Sequence, residues 1–453
     1  MKLKDNHSGT RFKSYFFKVS GMREFSETIR CIISLVLLSF LLSGNAFAQN
    51  GFTTHKVEKQ ETIFGIAKKY NVTIEQILDA NPVMKEKDFM LKKGFVVNIP
   101  KTVSKSEQKA IQKSNINLGV LLPLHDINGD GRRMMEYYRG MLMAVADMKK
   151  EGYNITLTAW NAAEDADIRP FLATPEASRC DVFFGPLYTK QVRDIADFCM
   201  TKDIRLVIPF SISGNDVLTC PQIYQVYQEP ADITAKSIEQ FPAIFPKAHT
   251  VFVDCNDEQS KKGAFTLGLR KHLEEKGMTY NITNVNTPIE SFAKAFAANK
   301  PNVVVLNSGR SPQLGAVLAK LDELLTVTKD VKVSMYGYNE WLMYTEVYGA
   351  KMRKYDTYIP SVYDYDDHSL SVRAFRERYR KLFGGDMLYA LPSFALTGYD
   401  HTMFFVRGIV KYGKSFSGAA SQTCLQPMQT PLDFKRVKNG GYENKAFLLI
   451  HYK

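Results

Sequence analysis

Residues 180–213 read CDVFFGPLYTKQVRDIADFCMTKDIRLVIPFSIS. Val182–Phe184 is a short apolar run stopped by Gly185-Pro186, a pair that ends a strand. Val192, Ile195, Ala196 and Cys199 then recur at helical spacing, and Leu206–Pro209 is a second apolar run. Strand, helix and strand in so short a stretch make a βαβ unit, whose strands pair in parallel. Because these strands lack polar alternation they are buried on both faces, so helices must cover both sides of the sheet.

The same alternation runs outward from this stretch. Upstream, Leu118–Leu124 is a strand, Met134, Tyr138, Met141, Leu142 and Val145 mark one face of a helix, and Ile155–Trp160 is another strand. Downstream, a second series takes in a strand at Thr250–Asp254, a helix at Gly263–Lys276, a strand at Val303–Asn307, a helix at Leu314–Leu325 and a strand at Val331–Tyr336. Two such series predict an α/β, bilobed unit of two doubly wound parallel sheets over residues 116–453. In such sheets ligands lie beyond the carboxyl ends of the strands, where helix starts present N–H groups. The turns Gly185–Thr189 and Phe210–Gly214 are therefore candidates in the first lobe, and Asn307, Ser308, Asn339 and Glu340 in the second.

Composition narrows the class. The chain has 453 residues, 45% hydrophobic and 23% charged, which excludes a disordered chain or a fibre. Its formal charge is +12, but part of that excess sits at the start. Arg23 and Arg30 precede the apolar run Ile32–Leu42, and Ala46-Phe47-Ala48 follows, the pattern of a secretory signal over 1–48, with Met22 as an alternative start. The run is too short to span a membrane, and no later segment reaches eighteen uninterrupted apolar residues. Export makes nucleic acid a poor partner. Five cysteines follow the leader, at 180, 199, 220, 255 and 424; without any C-x-x-C or Cys/His cluster they point away from zinc and toward buried thiols.

Residues 53–100 are a separate small module. An extended piece at His55–Glu58 and a strand at Phe95–Ile99 flank two helices, one with Ile63, Ile66, Ala67 and Tyr70 inward and one with Ile74, Ile77 and Leu78. Thr62 and Thr73 read as N-caps, and Asn81-Pro82 stops the second helix. Lys101–Asn115 is polar and without period, a tether.

These residues carry a resemblance. HKVEKQETIFGIAKKYNVTIEQILDANP (55–82) with LKKGFVVNIP (91–100) resembles the LysM domain, a β-α-α-β module that binds N-acetylglucosamine-containing glycans such as peptidoglycan. The resemblance implies a glycan groove lined by Gln60, Glu61, Thr62, Ile63, Asn81 and Pro82, with Gln60-Glu61 standing where Gly-Asp is usual.

The larger unit resembles the type I periplasmic binding proteins, of which leucine/isoleucine/valine receptors are a branch. The residues that carry it are 137–157, 180–213, 250–277, 301–321 and 375–409, in the family's order. The resemblance implies three crossings between lobes, with lobe 1 at about 116–228 and 361–415 and lobe 2 at about 229–360 and 416–453. It also implies that Thr189, Ser211 and Ser213 serve a ligand carboxylate, with Tyr188 nearby, Asn307 and Ser308 at the cleft and Glu340 facing an amino group. Thr189 has a plainer role as a helix cap. Cys255–Gly263 replaces the family's Tyr-Gly turn, so two readings stand. One is a wall-attached receptor for a small polar solute such as an amino acid or wall fragment. The other is a structural or regulatory envelope protein that docks partners of cell-wall synthesis.

Asp126–Gly131 matches half of a calcium loop, but Tyr137 stands where the closing Glu belongs, and a polar turn is the better reading. The run Arg373, Arg376, Arg378, Arg380 and Lys381 reads as the solvated face of a helix. No nucleophile elbow, P-loop or H-E-x-x-H occurs, so no catalytic residue, cofactor or metal is assigned and the protein reads as a non-enzyme. The expected location is the periplasm, against the cell wall.

Overall fold

The computed structural model describes residues 52–453 except 60, 71, 73, 86–88, 101–110, 112–114, 211–213, 329, 368 and 424. The leader expected at 1–48, the cap Thr73 and Cys424 lie outside the described residues, as does most of the tether. The chain divides into two compact units, one ending at Lys101 and the other starting at Thr102.

In the first unit, β1 (Phe52–Lys56) and β2 (Val96–Pro100) pair antiparallel, with His55 opposite Val97. Between them come α1 (Ile63–Tyr70) and α2 (Ile74–Ala80). Thr62 starts α1 by accepting the Gly65 N–H at 3.1 Å, the N-cap role that its hydroxyl suits. Ile66, Ala67 and Ile77 close a small core with Val57, Met84, Val97 and Ile99.

The second unit holds two sheets among the described residues. The first is built on β3 (Asn115–Leu122), β4 (Asn154–Asn161), β5 (Val182–Phe184), β6 (Arg205–Ile208) and β7 (Ile223–Gln225), parallel in the order β4-β3-β5-β6-β7. The second is built on β8 (His249–Asp254), β9 (Tyr280–Asn284), β10 (Asn302–Leu306), β11 (Val333–Tyr336) and β12 (Thr357–Ser361), parallel in the order β9-β8-β10-β11-β12. Every residue of β10 is buried, as a central strand covered on both faces requires.

The helices α3 (Gly129–Lys150), α4 (Val192–Lys202), α5 (Gly263–Glu275), α6 (Ser311–Val327), α7 (Leu370–Phe383) and α8 (Phe394–Tyr412) bury their apolar faces against these sheets or each other. In lobe 1, α3 and α8 approach backbone to backbone. A Cβ on Gly140 would stand 1.9 Å from the Ala395 carbonyl oxygen, and one on Gly398 2.0 Å from that of Tyr137. Only glycine fits there.

The chain passes between the two sheets three times, at 226–229, after β12 and at 445–447. First and third crossings are joined by the Gln228 amide donating to the Ala446 carbonyl at 2.7 Å. One boundary differs from expectation. Residues 416–453 do not all return to lobe 2, because β13 (Phe434–Arg436) and β14 (Tyr442–Asn444) extend the first sheet, β14 pairing parallel to β7. Only β15 (Leu448–Tyr452) joins the second sheet, antiparallel to β12. The reason is aromatic packing. Phe434 enters a lobe 1 cluster with Tyr224, Phe404 and Phe405, and Tyr442 stacks on Tyr224 at 4.7 Å.

Candidate functional site

In the small unit, the groove residues are mostly committed to the fold. Asn81 is buried, and its amide donates to the carbonyls of Ile77 and Asn98, both at 2.7 Å, while its oxygen accepts the Asn98 N–H at 2.8 Å. It ties the end of α2 to β2. Glu61 accepts from the Glu58 N–H and from His55 Nε2, each at 2.7 Å, and those contacts hold its carboxyl below the usual carboxylate range. His55 Nδ1 in turn meets the Tyr70 hydroxyl at 3.0 Å. Ile63 packs on the core, Pro82 opens a short helical turn, and Gln60 lies outside the described residues. Sequence reading missed two exposed apolar side chains beside the same loops, Phe64 at 66% and Val83 at 45% exposure. Phe64 stands out of phase with the inward Ile63, Ile66, Ala67 and Tyr70, the signal that the sequence offered for it.

In lobe 1, the turn after β5 carries Tyr188 and Thr189. The Tyr188 hydroxyl donates to Asp130 at 3.5 Å, and burial together with Asp130 raises its pKa above the usual tyrosine value. Thr189 is exposed and begins a helical turn ahead of α4. The turn after β6 stands beside it, since a Cβ on Gly214 would be 4.0 Å from the Thr189 methyl. Ser211 and Ser213 lie outside the described residues. At the start of α3, the calcium-like stretch is a helix cap: Asn128 accepts the Gly131 N–H at 2.8 Å, while Asp126 and Asp130 pair with Arg132 and Arg133.

In lobe 2, Asn307, Ser308 and Glu340 follow the ends of the adjacent strands β10 and β11, as expected, but each is already engaged. The Asn307 oxygen accepts the Cys255 N–H and its amide donates to Asp254, both at 2.8 Å. Ser308 is buried and donates to Asp257 at 2.6 Å; that hydroxyl, with the Gln259 N–H and Arg310, holds the Asp257 carboxyl below its ordinary range. Ser260 donates to the Asn307 carbonyl. Lys262 Nζ lies 2.5 Å from Glu340 Oε1 and 4.4 Å from the centre of the Tyr338 ring. The segment 255–262, read from the sequence only as a departure from the family's turn, thus folds over the carboxyl ends of β8 and β10. Its residues that engage the strand ends, Asp257 and Lys262, were missed because nothing local ties them to partners some 50 and 78 residues away.

Residues 55–100 match the sequence profile of the LysM domain. The first unit is a LysM domain. No curated protein matches the chain in sequence. Among solved structures, the chain is similar to an ABC transporter substrate-binding protein from Desulfitobacterium hafniense in complex with Leu, at 13% identity, covering 75% of this chain and 98% of that one with a TM-score of 0.37. A putative branched-chain amino acid ABC transporter protein from Rhodospirillum rubrum gives 12%, 73%, 100% and 0.45 in the same terms. Full-length LpoA from Haemophilus influenzae gives 14%, 76%, 58% and 0.46. The bilobed α/β fold of the second unit rests on its own two sheets and three crossings.

In the described residues no helix is long and apolar enough to cross a membrane, and Cys180, Cys199, Cys220 and Cys255 are buried free thiols.

Proposed function

We propose that this is an exported, non-enzymatic envelope protein, attached to peptidoglycan by its LysM domain, whose bilobed body docks partners of cell-wall synthesis. One observation carries the choice over a transport receptor: the lobe 2 groups that would hold an amino acid are engaged by the protein's own groups, Glu340 through one of its two carboxylate oxygens. A ligand ammonium would have to displace Lys262 from Glu340, and a ligand polar group would find the amide of Asn307 and the hydroxyl of Ser308 engaged. Breaking such contacts subtracts from binding what a prepared site would add. Fixed attachment to the wall also suits a scaffold better than a shuttle. The exposed Phe64 and Val83 offer apolar surface on which a sugar ring can stack.

Two measurements test this reading. Purified sacculi should pellet the full chain, and soluble N-acetylglucosamine oligomers should release it. Calorimetry with the twenty amino acids should give no heat; micromolar binding of any one would return the protein to the receptor class. In that rival reading the paired turns at Thr189 and Gly214 would supply the first-lobe contacts.

A further inference from the structure

Residues 413–433 run from the end of α8 back over that helix before the chain enters the first sheet as β13. Between the segment and the helix lies a cavity of about 80 Å³, walled by Asp400 and Phe404 on one side and by Leu425, Pro427, Pro431 and Leu432 on the other. None of these residues belongs to the strand-end turns described above. A single water occupies about 10–15 Å³ by this measure, so the cavity has room for roughly five water-sized groups. Leu425, Pro427 and Pro431 are half-buried, which leaves an opening to solvent.

Among the described lining residues Asp400 is the one ionisable side chain, and it is 2% exposed. Its Oδ1 accepts the Met428 N–H and its Oδ2 those of Gln429 and Thr430, all at 2.8 Å. A carboxylate has about four acceptor sites, so about one stays open, on Oδ1. Burial pushes its pKa up to about 7 although the three N–H groups lower it, and no cation enters that balance. His401, next in the chain, is held neutral by burial and bonds Tyr137 on α3. A buried carboxylate without a counter-charge is costly, and a cation entering the cavity would offset that cost. The walls decide which cation. They are alkyl and aromatic, and the hydroxyls of Thr423 and Thr430 are already bonded within the protein, to Ala420 and to Thr397 and Gln429. A primary ammonium brings three N–H groups in need of acceptors and finds about one. A methylated ammonium brings charge and methyl groups without that need, and apolar and aromatic walls suit it.

We infer that this cavity binds a methylated ammonium group, with the Asp400 carboxylate as its counter-charge and Phe404 and the leucine and proline side chains as its walls. The site is separate from the strand-end groups on which the scaffold reading rests, so either claim can fail and leave the other standing.

The probe is tetramethylammonium chloride, titrated into the full chain by calorimetry at pH 8 with ionic strength held by sodium chloride. The uncharged replica of its shape is tert-butanol. The expected Kd is on the order of 1 mM, roughly tenfold tighter than that of tert-butanol. As a carboxylate with a pKa of about 7 takes up its proton, affinity should fall roughly tenfold from pH 8 to pH 6. Ala420 is an exposed residue of the lining, and Ala420→Trp, which occupies the cavity and leaves Asp400 in place, should weaken binding about tenfold. Asp400→Asn should abolish it. That variant also disturbs the N–H groups of residues 428–430, so the wild-type pH profile and Ala420→Trp decide the matter should it not fold. Equal affinity for tetramethylammonium and tert-butanol, an affinity flat from pH 8 to pH 6, or binding that survives Ala420→Trp overturns the proposal. So does an absence of heat up to about 20 mM, well above the expected Kd.

Discussion

Replacing Asn81 by Ala separates a glycan contact from a structural clamp. The side chain makes three hydrogen bonds, and its removal leaves the Asn98 N–H and the carbonyls of Ile77 and Asn98 without their partner. Orphaned groups in a buried setting cost roughly 1–3 kcal/mol each, less where water can reach them, so a total of about 3 kcal/mol is reasonable. The LysM unit has little to set against that loss. Its core is Val57, Ile66, Ala67, Ile77, Met84, Val97 and Ile99, with no cysteine between residues 52 and 100, and cores of this size supply at most about 3–5 kcal/mol. A loss of about 3 kcal/mol raises the open population on the order of 100-fold while most molecules stay folded. The assay is trypsin digestion of the full chain, followed by mass spectrometry at Lys68, Lys69 and Lys92, alongside sacculus pelleting. Cleavage at these sites should accelerate about 100-fold, and pelleting should fall less than about twofold. The opposite pattern, unchanged cleavage with pelleting reduced tenfold, would mean that the Asn81 amide touches sugar and that its internal bonds are not its main role.

Other predictions concern the body. Gly398→Ala places a methyl 2.0 Å from the Tyr137 carbonyl, so α3 and α8 must part by about 1 Å; the cost should be about 1–3 kcal/mol, read as a Tm lower by several degrees. Gly263→Ala, with no atom within 4 Å of the new methyl, should instead gain about 0.4–1 kcal/mol, and equal melting of the two variants would refute the close approach. Burial pushes His401 down to about 3 and its neighbour Asp400 up to about 7. His401 is thus neutral when folded and protonates near pH 6.5 when unfolded, so its contribution to stability is lost as pH falls from 6.5 toward 3. Asp400 protonates in the folded state first and gains stability over pH 7 to 4, in opposition. His401→Phe, compared with wild type by urea denaturation, should therefore become relatively more stable below pH 6.5, by up to about 1.4 kcal/mol per pH unit; a difference that does not change with pH would refute this.

The sheets were legible because apolar strands and helical periodicity are local signals, and β3, β5, β6, β8, β10 and β11 carry one, whereas the three-residue β7 was not read. The destination of the C-terminal strands was not legible. Phe434 and Tyr442 are apolar in any register, and only their stacking on Tyr224 and the Phe404–Phe405 pair assigns them to lobe 1. The cap at Thr62 was readable for the same local reason, since it bonds within three residues of itself; Asn128, read only as part of a polar turn, caps its helix in the same way.

Candidate site positions were found and their state was not. Residue type and place at a strand end predict that Asn307, Ser308 and Glu340 reach the ligand edge, since chain direction in a parallel sheet decides it. Whether those groups remain available depends on Asp254, Asp257 and Lys262, which approach them only because β8, β10 and β11 lie side by side. Local pattern therefore determined the class, the two units and the edge where a ligand would sit. Long-range strand order decided which polar groups face one another across that edge, because hydrogen bonds and ion pairs form between neighbours in space and leave no period in the chain.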